Sequence, residues 1–380
     1  MGNVTVLGAG AAGLAVAAQL KAHGVESVVL ERGPGVAASW RGRYDRLRLH
    51  TTRRLSGLPG LGIPREYGRW VKRDDLVRYL EAYAERFGLD VRTGTTVERV
   101  KPGGDRWSLQ LRDAPEHSTQ TLVVATGYLH TPAVPAWPGL PSWTGTLIHS
   151  AEYRNAEPFR GRNVLVVGPG NSGAEIASDL AEGGAASVSL AIRTPPHIVR
   201  RETAGWPAQL NGVLMGGLPE PVFNTLAAAI ARVEVPDLRP YGIGRPAEGL
   251  KTRLRTQRYV PLQDVGIVRD VRSGRVRPVA AVQSFTETSV LLADGSSVQP
   301  DVVIAATGYG TGLRDLFEDP SLFDETGVPL VHGGAPARPG LYFAGFDVTL
   351  GGMLRQVAIE SRRVARAISA GSASTAGRAG

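Results

Sequence analysis

Cysteine is absent from all 380 residues. Its absence excludes disulfides, thiolate metal sites and a redox-active C-x-x-C pair. Lysine is nearly absent too, standing only at Lys21, Lys72, Lys101 and Lys251, so the net charge of +8 comes from arginine. The arginines are scattered rather than massed, which argues against a nucleic-acid-binding surface and for anionic cofactors or substrates. No window approaches about twenty apolar residues, so nothing reads as a membrane span. The start has no basic stretch ahead of its apolar run, unlike a secretory signal, and a cytoplasmic protein is the expectation. What is abundant is small: there are 48 glycines, and 42% of the chain is apolar. That composition suits close strand–helix contacts, and the length provides core for two ordinary domains.

The clearest signal lies in the first thirty-odd residues. Val4 to Leu7 reads as a buried strand and Leu14 to His23 as an Ala-rich helix, with Gly8, Gly10 and Gly13 between them at G-x-G-x-x-G spacing. Gly8 allows a tight turn, Gly10 lets the backbone approach a pyrophosphate, and Gly13 lets helix pack on strand. Ala9 lies inside this loop, and the helix N-terminus offers unpaired N–H groups with a partial positive charge. Glu31 follows Gly13 by 18 residues. A carboxylate there accepts hydrogen bonds from the hydroxyls of an adenosine ribose.

Next come an irregular Arg-rich stretch from Trp40 to Arg54 and a Pro/Gly loop from Pro59 to Pro64. A helix is expected from Asp74, capped by Asp75 or its neighbour and ended by Gly88. Thr95 to Val100 and Trp107 to Leu111 read as strands. Thr121 to Val124 is a buried strand that ends in Ala125-Thr126-Gly127-Tyr128. The scheme then recurs. Asn163 to Val167 leads into Gly168, Gly170 and Gly173, with Asn171 and Ser172 at the mouth of the next helix. Ser187 to Ile192 ends in Arg193, Ser289 to Ala293 is a further strand, and Asp301 begins a run that closes on Thr307-Gly308-Tyr309. An internal repeat of about 160 to 180 residues means two units built alike. They differ at one charge. Glu31 suits a free 2′-hydroxyl, whereas Arg193 suits the 2′-phosphate of NADP, with Arg200 and Arg201 nearby to add charge. FAD is therefore expected in the first unit and NADPH in the second.

The expected fold is α/β, with two Rossmann-like, three-layer ββα dinucleotide-binding domains, the FAD domain discontinuous. Residues 1–155 form its first part and 301–370 its return segment. Residues 156–300 form the NADPH domain, with an insertion at about 203–260 that carries Trp206, Met215, Phe223 and an apolar helix at Thr225 to Ala231. That insertion reads either as a wall of the substrate site or as a packed surface helix. Residues 371–380 are expected to be a disordered tail.

Trp143-Thr-Gly145-Thr-Leu-Ile-His149-Ser-Ala-Glu-Tyr153 resembles the F-x-G-x-x-x-H-x-x-x-Y signature of flavin-containing monooxygenases, with Trp in place of the leading Phe. Tyr44-Asp-Arg-Leu-Arg-Leu-His50 resembles the Y-D-R-L-x-L-H of their YUCCA branch. Gly168 to Gly173, Tyr241 to Pro246, Asp264 to Gly266, Ser273-Gly274 and Gly340 to Gly345 are similar to further segments of that branch. The resemblance spans roughly residues 3 to 370. It implies a class B flavoprotein monooxygenase: NADPH reduces FAD, O₂ adds at C4a, and the C4a-(hydro)peroxyflavin oxygenates a small organic substrate. It also places Arg32, Trp40, Arg41, His50, Val97, Ala125, Thr126, Gly127, Thr307, Gly308, Gly345 and Leu354 with the cofactor sites. His50 is the catalytic candidate, a flavin-packing or surface histidine being the alternative; His149 reads as structural. A carbonyl compound or 2-oxo acid is the favoured substrate. The alternatives are N- or S-oxygenation of a soft nucleophile, to which Tyr153 points, and an uncoupled NADPH oxidase. Monomer and homodimer both stay open.

Overall fold

A computed structural model describes residues 4–376. The chain divides into two compact units. The first takes residues up to 42, 51–131 and from 309 onward; the second takes 43–50 and 132–308.

In the first unit Val4–Leu7 is buried at every position, the mark of a strand covered on both faces. It is the centre of a five-stranded sheet in the order Leu341–Phe343, Thr121–Val124, Val4–Leu7, Ser27–Leu30, Asp90–Arg92. All pairings are parallel, with Val6 opposite both Val29 and Val123. One face carries the helices Ala11–Ala22 and Met353–Ala376. Small residues let the first of these approach closely: Ala15, Ala17 and Ala18 are buried with Leu14 and Leu20. The other face carries an antiparallel sheet of Val97–Gly103, Arg106–Leu111 and His117–Thr119. Val100, Trp107 and Leu109 from that sheet meet Leu7, Leu30, Val124 and Phe343 in one core.

The second unit repeats this plan. Its parallel sheet runs Arg277–Ala280, Ser187–Ile192, Asn163–Val167, Val302–Ala305, Thr146–His149. The helices Asn171–Glu182 and Ile267–Arg272 pack on one face. An antiparallel sheet of Val282–Phe285, Val290–Leu292 and Ser297–Val298 packs on the other, where Phe285 stacks near Trp143 at 5.3 Å between ring centres. The two three-layer ββα domains of the sequence reading, the first discontinuous, are the observed architecture.

Their limits differ from expectation. His149 stands opposite Ala305 in the second sheet, so 132–155 and 301–308 belong to the second unit, which puts the breaks at 131 and 308 rather than at 155 and 300. Residues 43–50 join it as well, with Tyr44 3% exposed in its core. Parallel pairing is decided by distant partners and leaves no local trace. The helix expected from Asp74 is Arg73–Arg86; it has no side-chain cap, and Asp74 and Asp75 instead complement the dipole of its first turn. The tail expected to be disordered from 371 continues the helix Met353–Ala376 as far as residue 376, because adding a turn to a helix already nucleated costs less than starting one. Residues 377–380 lie outside the described residues. No helix among the described residues is long and apolar enough to cross a membrane.

The insertion holds the helices Ala208–Met215, Glu220–Glu234 and Leu250–Gln257. Asn224 clamps the last two, its Oδ1 accepting Lys251 N–H at 2.8 Å and its Nδ2 donating to Thr252 at 2.9 Å. Arg253 lies 3.8 Å over the Tyr259 ring and donates to the Pro195 carbonyl. Burial, with Arg253 adding to it, lowers the neighbouring His197 to about 4. The folded state thus binds fewer protons than the unfolded chain between pH 6.5 and 4, and stability falls as pH falls through that window. Thermal melting of wild type should show this acid-side loss, and His197→Gln should show a shallower one.

Candidate active site

Each unit places a glycine loop at the C-terminal end of its central strand. In the first, Gly8 has φ +105°, and a Cβ there would stand 2.8 Å from the Ala125 carbonyl oxygen. A Cβ on Gly13 would overlap the Gly8 carbonyl, so both glycines are required by backbone contact. Gly10 differs: nothing lies within 4 Å of its Cβ position. The helix Ala11–Ala22 begins there without a side-chain cap. Unpaired N–H groups therefore face open space, the arrangement that receives a pyrophosphate. Thr126 Oγ1, on the turn that touches Gly8, is buried and has no partner among the described residues. The loop, its open cradle and this spare hydroxyl fit a dinucleotide.

Glu31 is 9% exposed and braces the same loop. Its Oε2 accepts Ala9 N–H at 2.8 Å and its Oε1 accepts Gly33 N–H at 2.7 Å. Each carboxylate oxygen keeps a lone pair for a ribose hydroxyl. Gly127 (φ +82°) and Gly345 (φ +85°) turn the chain after the two neighbouring strands, and a Cβ on Gly345 would stand 2.8 Å from Ala12 Cβ. Leu354 is buried in the first turn of the long C-terminal helix. Trp40 and Val97 are half-buried, Arg32 is exposed, and Arg41 pairs with Glu81.

The second loop is the first one over again. Gly168 (φ +113°) meets the Ala306 carbonyl, Gly173 meets the Gly168 carbonyl, and Gly170 opens on empty space. Arg193 is exposed one residue past the strand Ser187–Ile192. The Asn171 side chain is otherwise engaged. It donates to the Pro261 carbonyl at 3.1 Å and accepts from Gln263 N–H at 2.8 Å, fastening the helix mouth to Leu262–Asp264. Ser172 bonds the Tyr44 hydroxyl. Thr307 Oγ1 donates to the Ala133 carbonyl at 2.5 Å. Gly308 (φ +91°) offers its carbonyl to His149 Nε2 at 3.1 Å.

The two motifs of the resemblance converge on the helix Asn171–Glu182. His50 Nε2 lies 2.8 Å from Glu175 Oε1. Arg46 pairs with Asp179 at 3.2 Å and Glu182 at 3.1 Å. The Tyr153 hydroxyl donates to Asp179 Oδ2 at 2.7 Å. Burial, reinforced by Glu175, pushes Tyr44 well above the ordinary phenol value. Burial, with Asp179 adding, does the same for Tyr153, so both stay protonated donors. His149 is 4% exposed and lowered by burial. Its Nδ1 accepts from Ala151 N–H, which leaves Nε2 to donate to Gly308, a structural bridge. Glu175 and Asp179 were missed in the sequence. Their signal was three acids, Glu175, Asp179 and Glu182, at the i, i+4, i+7 spacing of one helix face.

Two dinucleotide loops in one chain define an oxidoreductase of the two-nucleotide flavoprotein class. The pyridine nucleotide-disulphide oxidoreductase family matches residues 5–204; without cysteine, this chain shares that family's fold and not its disulphide chemistry. The indole-3-pyruvate monooxygenase YUCCA1 of Oryza sativa subsp. japonica is 36% identical over 351 residues, covering 90% of this chain and 86% of that one. A variant of the flavin monooxygenase from Stenotrophomonas maltophilia superposes with a TM-score of 0.75 at 24% identity, over 98% of this chain and all of that one. OTEMO, in complex with FAD and NADP, gives 0.74 at 19% identity over 98% and 86%. The chain belongs to the YUCCA-type flavin monooxygenase family, within the class B flavoprotein monooxygenases. It is a flavoprotein oxidoreductase that uses FAD and NADPH.

Two variants test the geometry of the loops. Gly10→Val should fold, because nothing occupies its Cβ space, yet be colourless in visible absorbance; retention of full flavin would contradict the placement of FAD. Arg193→Ala should raise the Michaelis constant for NADPH by about one to two decades, the worth of a charge-assisted hydrogen bond of roughly 1.5–3 kcal/mol. The constant for NADH should hardly change.

Proposed function

We propose that this monooxygenase acts on a small carbonyl compound, a 2-oxo acid above all, with FAD at the Gly8–Gly13 loop and NADPH at the Gly168–Gly173 loop. The observation that carries the substrate class is the 36% identity, over nine-tenths of the chain, to an enzyme named for indole-3-pyruvate, itself a 2-oxo acid. The contrast between Glu31, buried and braced, and Arg193, exposed at the equivalent strand end, supports the assignment of the two cofactors. FAD, once bound and reduced, would supply the electrons that activate O₂, one atom of which goes to the substrate and the other to water. The chain's own residues bind, orient and handle protons. The two open helix N-termini receive the pyrophosphates, and Glu31 takes the ribose hydroxyls.

A catalytic role for His50 belongs to this proposal, and Glu175 narrows it. The His50 Nε2 faces the buried Glu175 carboxylate, which turns Nδ1 to the other side of the ring. Nδ1 is buried and has no partner among the described residues, which leaves it as the ring nitrogen free to meet a substrate or cofactor group. A base at that point suits attack on a carbonyl, which needs a deprotonated, nucleophilic oxygen donor. A cytoplasmic location goes with the same reading.

Turnover under ¹⁸O₂ with a panel of 2-oxo acids, amines and sulfides tests the proposal. Label in a carboxylic acid, with CO₂ released, is the expected result. Label confined to an N-oxide, hydroxylamine or sulfoxide would show the alternative oxygenation. NADPH consumed with only peroxide formed would show an oxidase.

A further inference from the structure

Neither dinucleotide loop uses Glu360, although it is 1% exposed. It lies on the long helix Met353–Ala376 in the first unit. Its Oε2 accepts Gly345 N–H at 2.7 Å, while Oε1 is buried and has no partner among the described residues. Gly345 rests directly on Ala12, in the first turn of the helix that would receive the FAD pyrophosphate. The carboxyl therefore stands behind the backbone that touches that helix, one residue removed.

Few charges surround it. The turn after Gly345 brings Asp347, held by Gln356 Nε2 at 2.6 Å. The helix itself brings Arg363, and the loop next to His332 brings Gly333 against the stem of the side chain. The nucleotide helix brings Ala12 against the same turn. Burial raises Glu360 to about 7, Asp347 adding to it, while Gly345 N–H, Gln356 and Arg363 pull the other way.

We propose that Glu360 takes up a proton from solvent when FAD occupies the Gly8–Gly13 loop, so that a residue remote from the cofactor makes its affinity depend on pH. This rests on the placement of FAD in the first unit. A pyrophosphate at that loop would bring two negative charges to the helix turn that carries Ala12, and because Ala12 and Gly345 are both buried, protein rather than water lies between those charges and Glu360. A second anion behind that contact disfavours both charges. The neutral acid removes the repulsion and still accepts the Gly345 N–H through its carbonyl oxygen. Binding that takes up a proton weakens as pH rises.

Holoenzyme diluted between pH 6 and 8.5 gives the Kd from the fluorescence of released FAD, whose own phosphates keep constant charge over this range. In wild type the Kd should rise about three- to tenfold across the window. Glu360→Gln, which keeps an oxygen for Gly345 and cannot titrate, should change by less than about twofold. A flat wild-type Kd overturns the proposal, and so does an undiminished slope in Glu360→Gln. Should that variant fail to fold, infrared spectra of wild type decide: the carboxylic-acid band present with FAD bound at pH 7.5 must weaken when FAD is removed, and an unchanged band overturns the proposal. Gly10→Val separates the two levels. If it keeps its flavin, the placement of FAD fails; if it is colourless while wild-type affinity ignores pH, only the role of Glu360 fails.

Discussion

A contact between backbone atoms alone governs both units. Where helix leaves strand, the chain passes so close to itself that a methyl group on Gly13 or Gly173 would overlap the carbonyl of Gly8 or Gly168. The same crowding brings the next strand's end, at Ala125 or Ala306, against the first glycine of the loop. Everything useful about the sites follows from this closeness. The helix starts abruptly, its first N–H groups have no side chain to serve them, and the strand-end turns stand beside the opening. A site built from backbone cannot be retuned by side-chain drift, so selectivity falls to peripheral charges such as Glu31 and Arg193.

The second nucleotide helix carries a further burden. Tyr44, Arg46 and His50 reach it from an early stretch of chain, and Tyr153 from another, so Glu175, Asp179 and Glu182 become anchor points. Glu175 is only 5% exposed. A buried carboxylate with two polar partners is worth keeping where orientation matters more than raw stability, since removing one partner leaves an uncompensated charge. Signatures that look catalytic on paper thus do much of their work as fasteners. His149 is the plainest case, its two ring nitrogens both committed to backbone.

Legibility in the sequence followed the range of the interactions. Glycine spacing encodes a local backbone path, and both loops, their strands and their helices stood where the letters put them; Asn163–Val167 and Ser187–Ile192 matched residue for residue. Arg193 sits past its strand as read. The domain limits were not legible, because Thr146–His149 pairs with residues more than a hundred and fifty positions away. Nor was the bracing that the Asn171 and Glu31 side chains give to the loops. Both bind loop backbone whose position depends on the finished fold. The partners of Tyr44 and His50 were hidden for the same reason, although the acids on the helix Asn171–Glu182 offered a hint.

The interleaving of the two units along the chain has a consequence for synthesis. Every strand of the second parallel sheet has been made once residue 305 is translated, with the stretch 43–50 waiting since early in the process. The first sheet still lacks its edge strand Leu341–Phe343 and the helix that covers it. Domains form as their parts emerge from the ribosome. The nucleotide fold whose loop is translated first is therefore completed last, and its apolar strands need shelter while the other unit is assembled from the middle of the message.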